Sequence, residues 1–160
     1  MSDNLLYLDL PAGRVTIQML PEKAPGHVAR ISELVRSGYY DGLVFHRVIE
    51  GFMAQTGCPH GTGTGGSGQH LAAEFNDEPH ERGTVSMARA QDPNSADSQF
   101  FICLDRAGHL DGQYTAWGNV IEGMEHVDAI KKGDHAANGS VEDPDAIVKA
   151  QLAADGAIDG

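Results

Sequence analysis

Phe45-His46-Arg47-Val48-Ile49-Glu50-Gly51-Phe52-Met53-Ala54-Gln55-Thr56-Gly57 is the stretch on which the fold turns. Two short apolar runs, Val44 to Ile49 and Phe52 to Gln55, flank the turn pair Glu50-Gly51, which predicts two short strands. The first run holds one guanidinium. Arginine cannot shed its charge, so its place there needs a partner or a purpose. The second run adds two large apolar groups and an amide. In Gln99-Phe100-Phe101-Ile102, Gln99 and Phe101 share a strand face by period 2. Together these residues suit a wet-rimmed apolar groove for an extended peptide. The competing reading is a barrel core with a salt-bridged Arg47, and periodicity alone leaves both open.

Working outward, Leu6, Leu8 and Leu10 alternate with Leu5, Tyr7 and Asp9, and Val15, Ile17 and Met19 alternate beyond the turn Pro11-Ala12-Gly13. That is a β-hairpin pattern. Over residues 25–37 the period changes: Val28, Ile31, Leu34 and Val35 share a helical face, with Pro25 in the first turn and Gly38 just past the end. Further strands are expected at Thr84 to Ala88, Gln99 to Leu104, Tyr114 to Val120 and Ala146 to Leu152. A second helix is expected from Glu122 to Lys132. Long loops run from Gly61 to Gly68 and from Arg89 to Ser98, and loops of that length are usually functional. Short strands with two isolated helices and no βα alternation predict a mainly β fold, an antiparallel barrel with helices at its ends.

The chain has 160 residues, the length of one domain, expected to span 1–160 with a frayed tail from 153. With 11 Lys plus Arg against 23 Asp plus Glu, its net charge is −12. Such acidity argues against a nucleic-acid partner, which needs a basic face, and against docking on anionic lipid. Half of the acidic excess lies in residues 121–160, where nine acids stand against three bases. No run of ~18 apolar residues predicts a membrane span. Met1 to Leu10 lacks the positive start and long apolar run of a secretory signal, so a cytoplasmic protein is expected, with Cys58 and Cys103 as reduced thiols.

Other chemistries find little support. The Gly61 to Gly68 run lacks the Gly-Lys-Ser/Thr ending of a phosphate-binding loop. The eight histidines are scattered, without ligand spacing on a predicted helix. No Gly-x-Ser-x-Gly elbow is present. No cofactor is expected.

Phe45 to Gly57 resembles the signature segment of the cyclophilins, the cyclophilin-type peptidyl-prolyl cis–trans isomerases. The resemblance continues in order through Gly63-Thr64-Gly65-Gly66, Ser86-Met87-Ala88-Arg89-Ala90 and Ser98-Gln99-Phe100-Phe101-Ile102, to Leu110-Asp111-Gly112 and Trp117-Gly118. It covers nearly the whole chain, and the loop from Arg89 to Ala96 resembles the bacterial single-domain branch. It implies a closed eight-stranded antiparallel β-barrel capped by two α-helices, and isomerisation of X–Pro bonds in proteins, assisting their folding. The partners it implies are proline-containing peptides and unfolded or folding clients, met by a monomer. The alternative is a proline-peptide-binding chaperone with little turnover, which would have no need of Arg47.

By the same resemblance Arg47 is the catalytic arginine, and Gln55 the amide that positions it and the substrate backbone. Phe52, Met53, Phe101 and Leu110 form the proline pocket. Ala88, Gln99 and Gly63 line or rim the groove. Arg89 stands where the family often has asparagine with a backbone role. His109 occupies a position that holds tryptophan in eukaryotic members, and Tyr114 one that holds histidine. With the indole missing, weak binding of cyclosporin is expected. Trp117 matches a barrel phenylalanine and does not replace it.

Overall fold

The computed structural model describes residues 4–59, 61, 66–89, 92, 94–134 and 139–153. The hairpin forms as expected, with β1 (Leu5–Leu10) and β2 (Gly13–Met19) paired antiparallel. Helix α1 (Pro25–Arg36) follows. Ala24, the residue before it, offers no capping side chain. The first turn is capped from afar: Glu74 accepts from the Gly26 N–H at 3.0 Å and the His27 N–H at 2.8 Å, so a carboxylate sits on the positive end of the helix.

The remaining strands are β3 (Arg47–Ile49), β4 (Met53–Thr56), β5 (Thr84–Met87), β6 (Phe100–Cys103), β7 (Ala116–Glu122) and β8 (Lys149–Leu152), with helix α2 (Met124–Asp128) between the last two. All eight lie in one antiparallel sheet, in the order β3-β4-β6-β5-β7-β2-β1-β8. The expected closure is not complete. Among the described residues β3 and β8 do not pair, and the sheet is a curled half-barrel. The seam is filled by the returning chain: Phe45 N–H donates to Asp145 O, Ile147 N–H to Leu43 O, Val48 N–H to Gly139 O and Gly133 N–H to Val48 O.

The same hydrogen bonds explain the shortened elements. The backbone of residues 44–46 pairs with the seam segment instead of with the β4 backbone, so the expected strand from Val44 survives only from Arg47, with an isolated bridge at Val44–Ala146. Helix α2 stops at Asp128, because Lys131 N–H is drawn to Asp145 Oδ2 and Gly133 to β3. Strand β7 starts two residues later than expected, after a register shift beside Ser86. Of the expected frayed tail only Ala153 is described, and it is buried. The rest lies outside the described residues.

Alternation sorts the strand residues into two cores. Val48, Ala54, Val85, Met87, Phe100 and Ile102 face inward, joining the apolar faces of β1, β2, α1 and α2 in the main core. Their neighbours face the other way. Met53, Phe101 and Cys103 form a second cluster with Ala107 and Leu110, flanked by Ile49, Phe52, Ala88 and Tyr114. That outer cluster is the foundation of the site.

Candidate active site

Cross-strand register places Arg47 opposite Gln55, Gln55 opposite Phe101, and Phe101 opposite Ser86. Arg47 therefore stands on the outer face of the sheet, not in the barrel core, which settles the choice that periodicity left open. Its Nη1 donates to Gln55 Oε1 at 3.3 Å, and Gln55 Nε2 donates to Gln99 Oε1 at 2.9 Å. A guanidinium only donates, so the Gln55 carbonyl must face it and the amide nitrogen must point on to Gln99. Burial lowers the Arg47 pKa, with the nearby Tyr114 acting in the opposite direction. The group keeps its charge at any physiological pH.

Beside it opens a pocket of about 140 Å³ lined by Arg47, Phe52, Met53, Gln55, Ala88, Arg89, Phe101, Leu110 and Tyr114. Phe101 meets Tyr114 edge to face, centroids 5.9 Å apart. The Arg89 guanidinium carbon lies 4.5 Å from the Tyr114 ring centroid, and Arg89 Nη2 donates to the Gln113 carbonyl at 2.7 Å. That stack holds the Tyr114 ring as one wall. Ala88 N–H is committed to Gln99 O at 2.9 Å, which pins the groove floor to β6.

Of the residues expected from the sequence, nine line this one pocket. Gln99 stands one step behind, through Gln55. His109 is exposed on the 3₁₀ turn Gly108–Leu110, its ring 5.6 Å from that of Phe52, at the pocket's edge rather than in its lining. Gly63 lies outside the described residues. Trp117 is fully buried in the main core, edge to face with Phe100 at 5.5 Å, away from this site. Sequence reasoning passed over His80, Ser86, Arg106 and the side chain of Asp111. They stand directly behind Phe101, and the Arg106 guanidinium brings the Asp111 carboxyl down to about 2. Asp111 had been legible only as a turn residue, and nothing local marks a lone histidine as the neighbour of a distant phenylalanine.

A recess with room for a small ring, bordered by a fixed cation and a chain of amides on an exposed sheet face, can seat a peptide carrying a cyclic apolar residue. The comparisons give that class its family. The chain matches the family described as cyclophilin type peptidyl-prolyl cis-trans isomerase/CLD over residues 5–152. A probable peptidyl-prolyl cis-trans isomerase of Brucella suis is 52% identical over 96% of this chain and 84% of its own. Peptidyl-prolyl cis-trans isomerase B of Bacillus subtilis is 46% identical over 76% of this chain and 85% of its own. The crystal structure of cyclophilin AquaCyp293 from Hirschia baltica superposes with a TM-score of 0.86 at 32% identity, covering 97% of this chain and 76% of that one. A cyclophilin type isomerase of Cryptosporidium parvum, crystallised in the presence of the dipeptide Ala-Pro, also gives 0.86, at 29% identity, covering 92% and 98%. The chain belongs to the cyclophilin-type peptidyl-prolyl cis–trans isomerases, and its reaction is the rotation of X–Pro peptide bonds.

Proposed function

We propose that X–Pro rotation takes place in the pocket beside Arg47, and that Arg47 is the catalytic group. Twisting an amide breaks C–N resonance over a barrier of ~18–20 kcal/mol. Uncatalysed X–Pro exchange takes tens to hundreds of seconds. A turnover of ~10 per second then requires roughly 10³-fold acceleration, or ~4 kcal/mol. In the twisted state the proline nitrogen regains a lone pair, to which an Arg47 N–H donates. A charge-assisted hydrogen bond contributes ~1.5–3 kcal/mol. It is absent in the planar amide, so it lowers the barrier rather than merely binding substrate. Phe52, Met53, Phe101 and Leu110 hold the pyrrolidine ring away from water. Gln55 keeps the guanidinium aimed and meets the substrate backbone. The observation that carries this reading is the register Arg47–Gln55–Phe101, which sets cation, amide and ring floor side by side. A proline-binding module without turnover would have no use for a half-buried cation.

The clients we propose are proline-containing segments of unfolded or folding proteins, met by a monomer in the cytoplasm. We propose weak cyclosporin binding, from the histidine at position 109. The test is exchange of an Ala-Pro or Gly-Pro peptide with purified protein and no added cofactor, repeated with a chelator. Acceleration unaffected by the chelator is expected. Binding without acceleration, or activity lost to the chelator, would overturn the reading.

A further inference from the structure

His80 is wholly buried, just ahead of β5, and its ring stacks on that of Phe101 with centroids 6.3 Å apart and planes 24° apart. Both ring nitrogens are engaged. Nδ1 lies 3.1 Å from Asp111 Oδ1, and a carboxylate only accepts, so Nδ1 carries the proton. Nε2 lies 2.8 Å from Ser86 Oγ. Burial lowers the imidazole's pKa, outweighing Asp111, so the ring is neutral and Nε2 accepts from the hydroxyl.

The backbone of the same residue is tied to the same turn. His80 N–H donates to Asp111 Oδ1 at 2.7 Å, and its carbonyl accepts from Ala107 N–H at 2.8 Å and Arg106 Nη1 at 3.0 Å. Arg106 Nη2 closes the ring of contacts on Asp111 Oδ2 at 2.7 Å. One side chain thus joins Phe101 on β6, Ser86 on β5 and the 107–111 turn that carries Leu110. An apolar side chain in the same space would fill it but leave the buried Ser86 hydroxyl without this partner. A fully satisfied buried network adds definition of geometry.

We propose that His80 is a positioning residue of the isomerase, fixing the tilt of Phe101 and the place of Leu110 so that a seated proline presents its nitrogen to Arg47 in one pose. This rests on the reading of the site given above. A loosened floor still holds a proline ring, but in several poses, and misplacement by about 1 Å costs up to ~10²-fold in rate.

The experiment measures kcat and, separately, the Kd of an Ala-Pro peptide, at a temperature where every variant is folded. His80→Phe keeps a ring on Phe101 and removes the two side-chain hydrogen bonds, to Asp111 and Ser86, while the backbone ties remain. It is expected to lower kcat about tenfold and change Kd less than about threefold. Asp111→Ala leaves the His80 ring in place and removes the carboxylate that His80 N–H, His80 Nδ1 and Arg106 share; it carries the test should His80→Phe not fold, and the same split is expected from it. Val127→Ala, in the main core, lowers the melting temperature and leaves kcat unchanged. Wild-type kcat in the folded His80 and Asp111 variants overturns the proposal and leaves the site reading intact, as does an equal loss in Val127→Ala. No turnover in the wild type overturns the site reading, and this proposal with it.

Discussion

At position 109 an exposed histidine stands 5.6 Å from Phe52, outside the residues that line the pocket. On the proposed reading of the site, the proline ring and the rim are served by different side chains, and the two are separable by mutation. Replacing an indole with histidine removes aromatic area and takes the N–H donor from the indole's position, a loss of about 2–4 kcal/mol, or roughly 30- to 1,000-fold in affinity for cyclosporin. His109→Trp is expected to regain much of that inhibition with kcat/KM for an Ala-Pro peptide nearly unchanged. Titrating the drug against both proteins in one assay decides it, and nanomolar inhibition of the wild type would refute it. Cys103 lies at the other extreme of access. It is buried beneath Met53 and Phe101, where loss of solvent raises its thiol pKa to about 12. Since thiolate is the reactive form, Cys103 is expected to resist alkylation in the native state. Mass spectrometry should show two labels only after unfolding, and a native intramolecular disulfide would contradict this. Arg47 was legible in the sequence because a cation interrupts an apolar run. His80 was not, because its partners are separated from it by up to 31 residues and share no local pattern.

At the scale of elements, α1 was legible from its period and its terminal Pro25 and Gly38, whereas its cap was not. The capping carboxylate comes from Glu74, 48 residues beyond Gly26. It also lies 2.6 Å from His27 Nδ1. Partial burial alone would raise the Glu74 pKa, but the His27 ring and the two helix N–H groups bring it below its ordinary value. A carboxyl lowered on folding contributes stability that is full above its unfolded pKa and is lost as pH falls through the folded one. Burial lowers the His27 pKa despite Glu74. Below about pH 6.5 the unfolded chain therefore takes up a proton that the buried ring refuses, which also removes stability. Both effects run the same way, so the melting temperature should fall steadily from pH 7 to pH 4. Glu74→Ala is expected to lose about 1–2 kcal/mol at pH 7, as helix caps do, and to show a shallower acid slope. Equal stability of the two proteins at pH 7 would refute the cap. The shortened α2 and β3 have a related cause: local pattern favoured longer elements, and hydrogen bonds from the seam segment took their ends.

Over the whole molecule, alternation in the sequence reports which side chains share a face, but it does not say which sheet edges meet. Eight strands and two helices were readable. The open join between β3 and β8 was not, because residues 131–134 and 139–147 fill it with few regular ladders of their own. Nor does alternation say which face is the interior. Phe101 and Phe100 look alike in the sequence, yet Phe100 enters the main core and Phe101 builds the outer cluster. That division lets the site be altered without opening the barrel. Arg47→Ala should leave circular dichroism and melting temperature close to wild type, because the main core does not include it. Arg47→Lys keeps the charge and loses the planar fork. The most direct measurement is kcat/KM for an Ala-Pro peptide with wild type, Arg47→Ala and Arg47→Lys under identical conditions. Removal of a charge-assisted hydrogen bond worth ~1.5–3 kcal/mol predicts a loss of roughly 10- to 150-fold for alanine and a large part of that for lysine. Near-full activity in either variant, with its fold intact, would contradict the role given to Arg47.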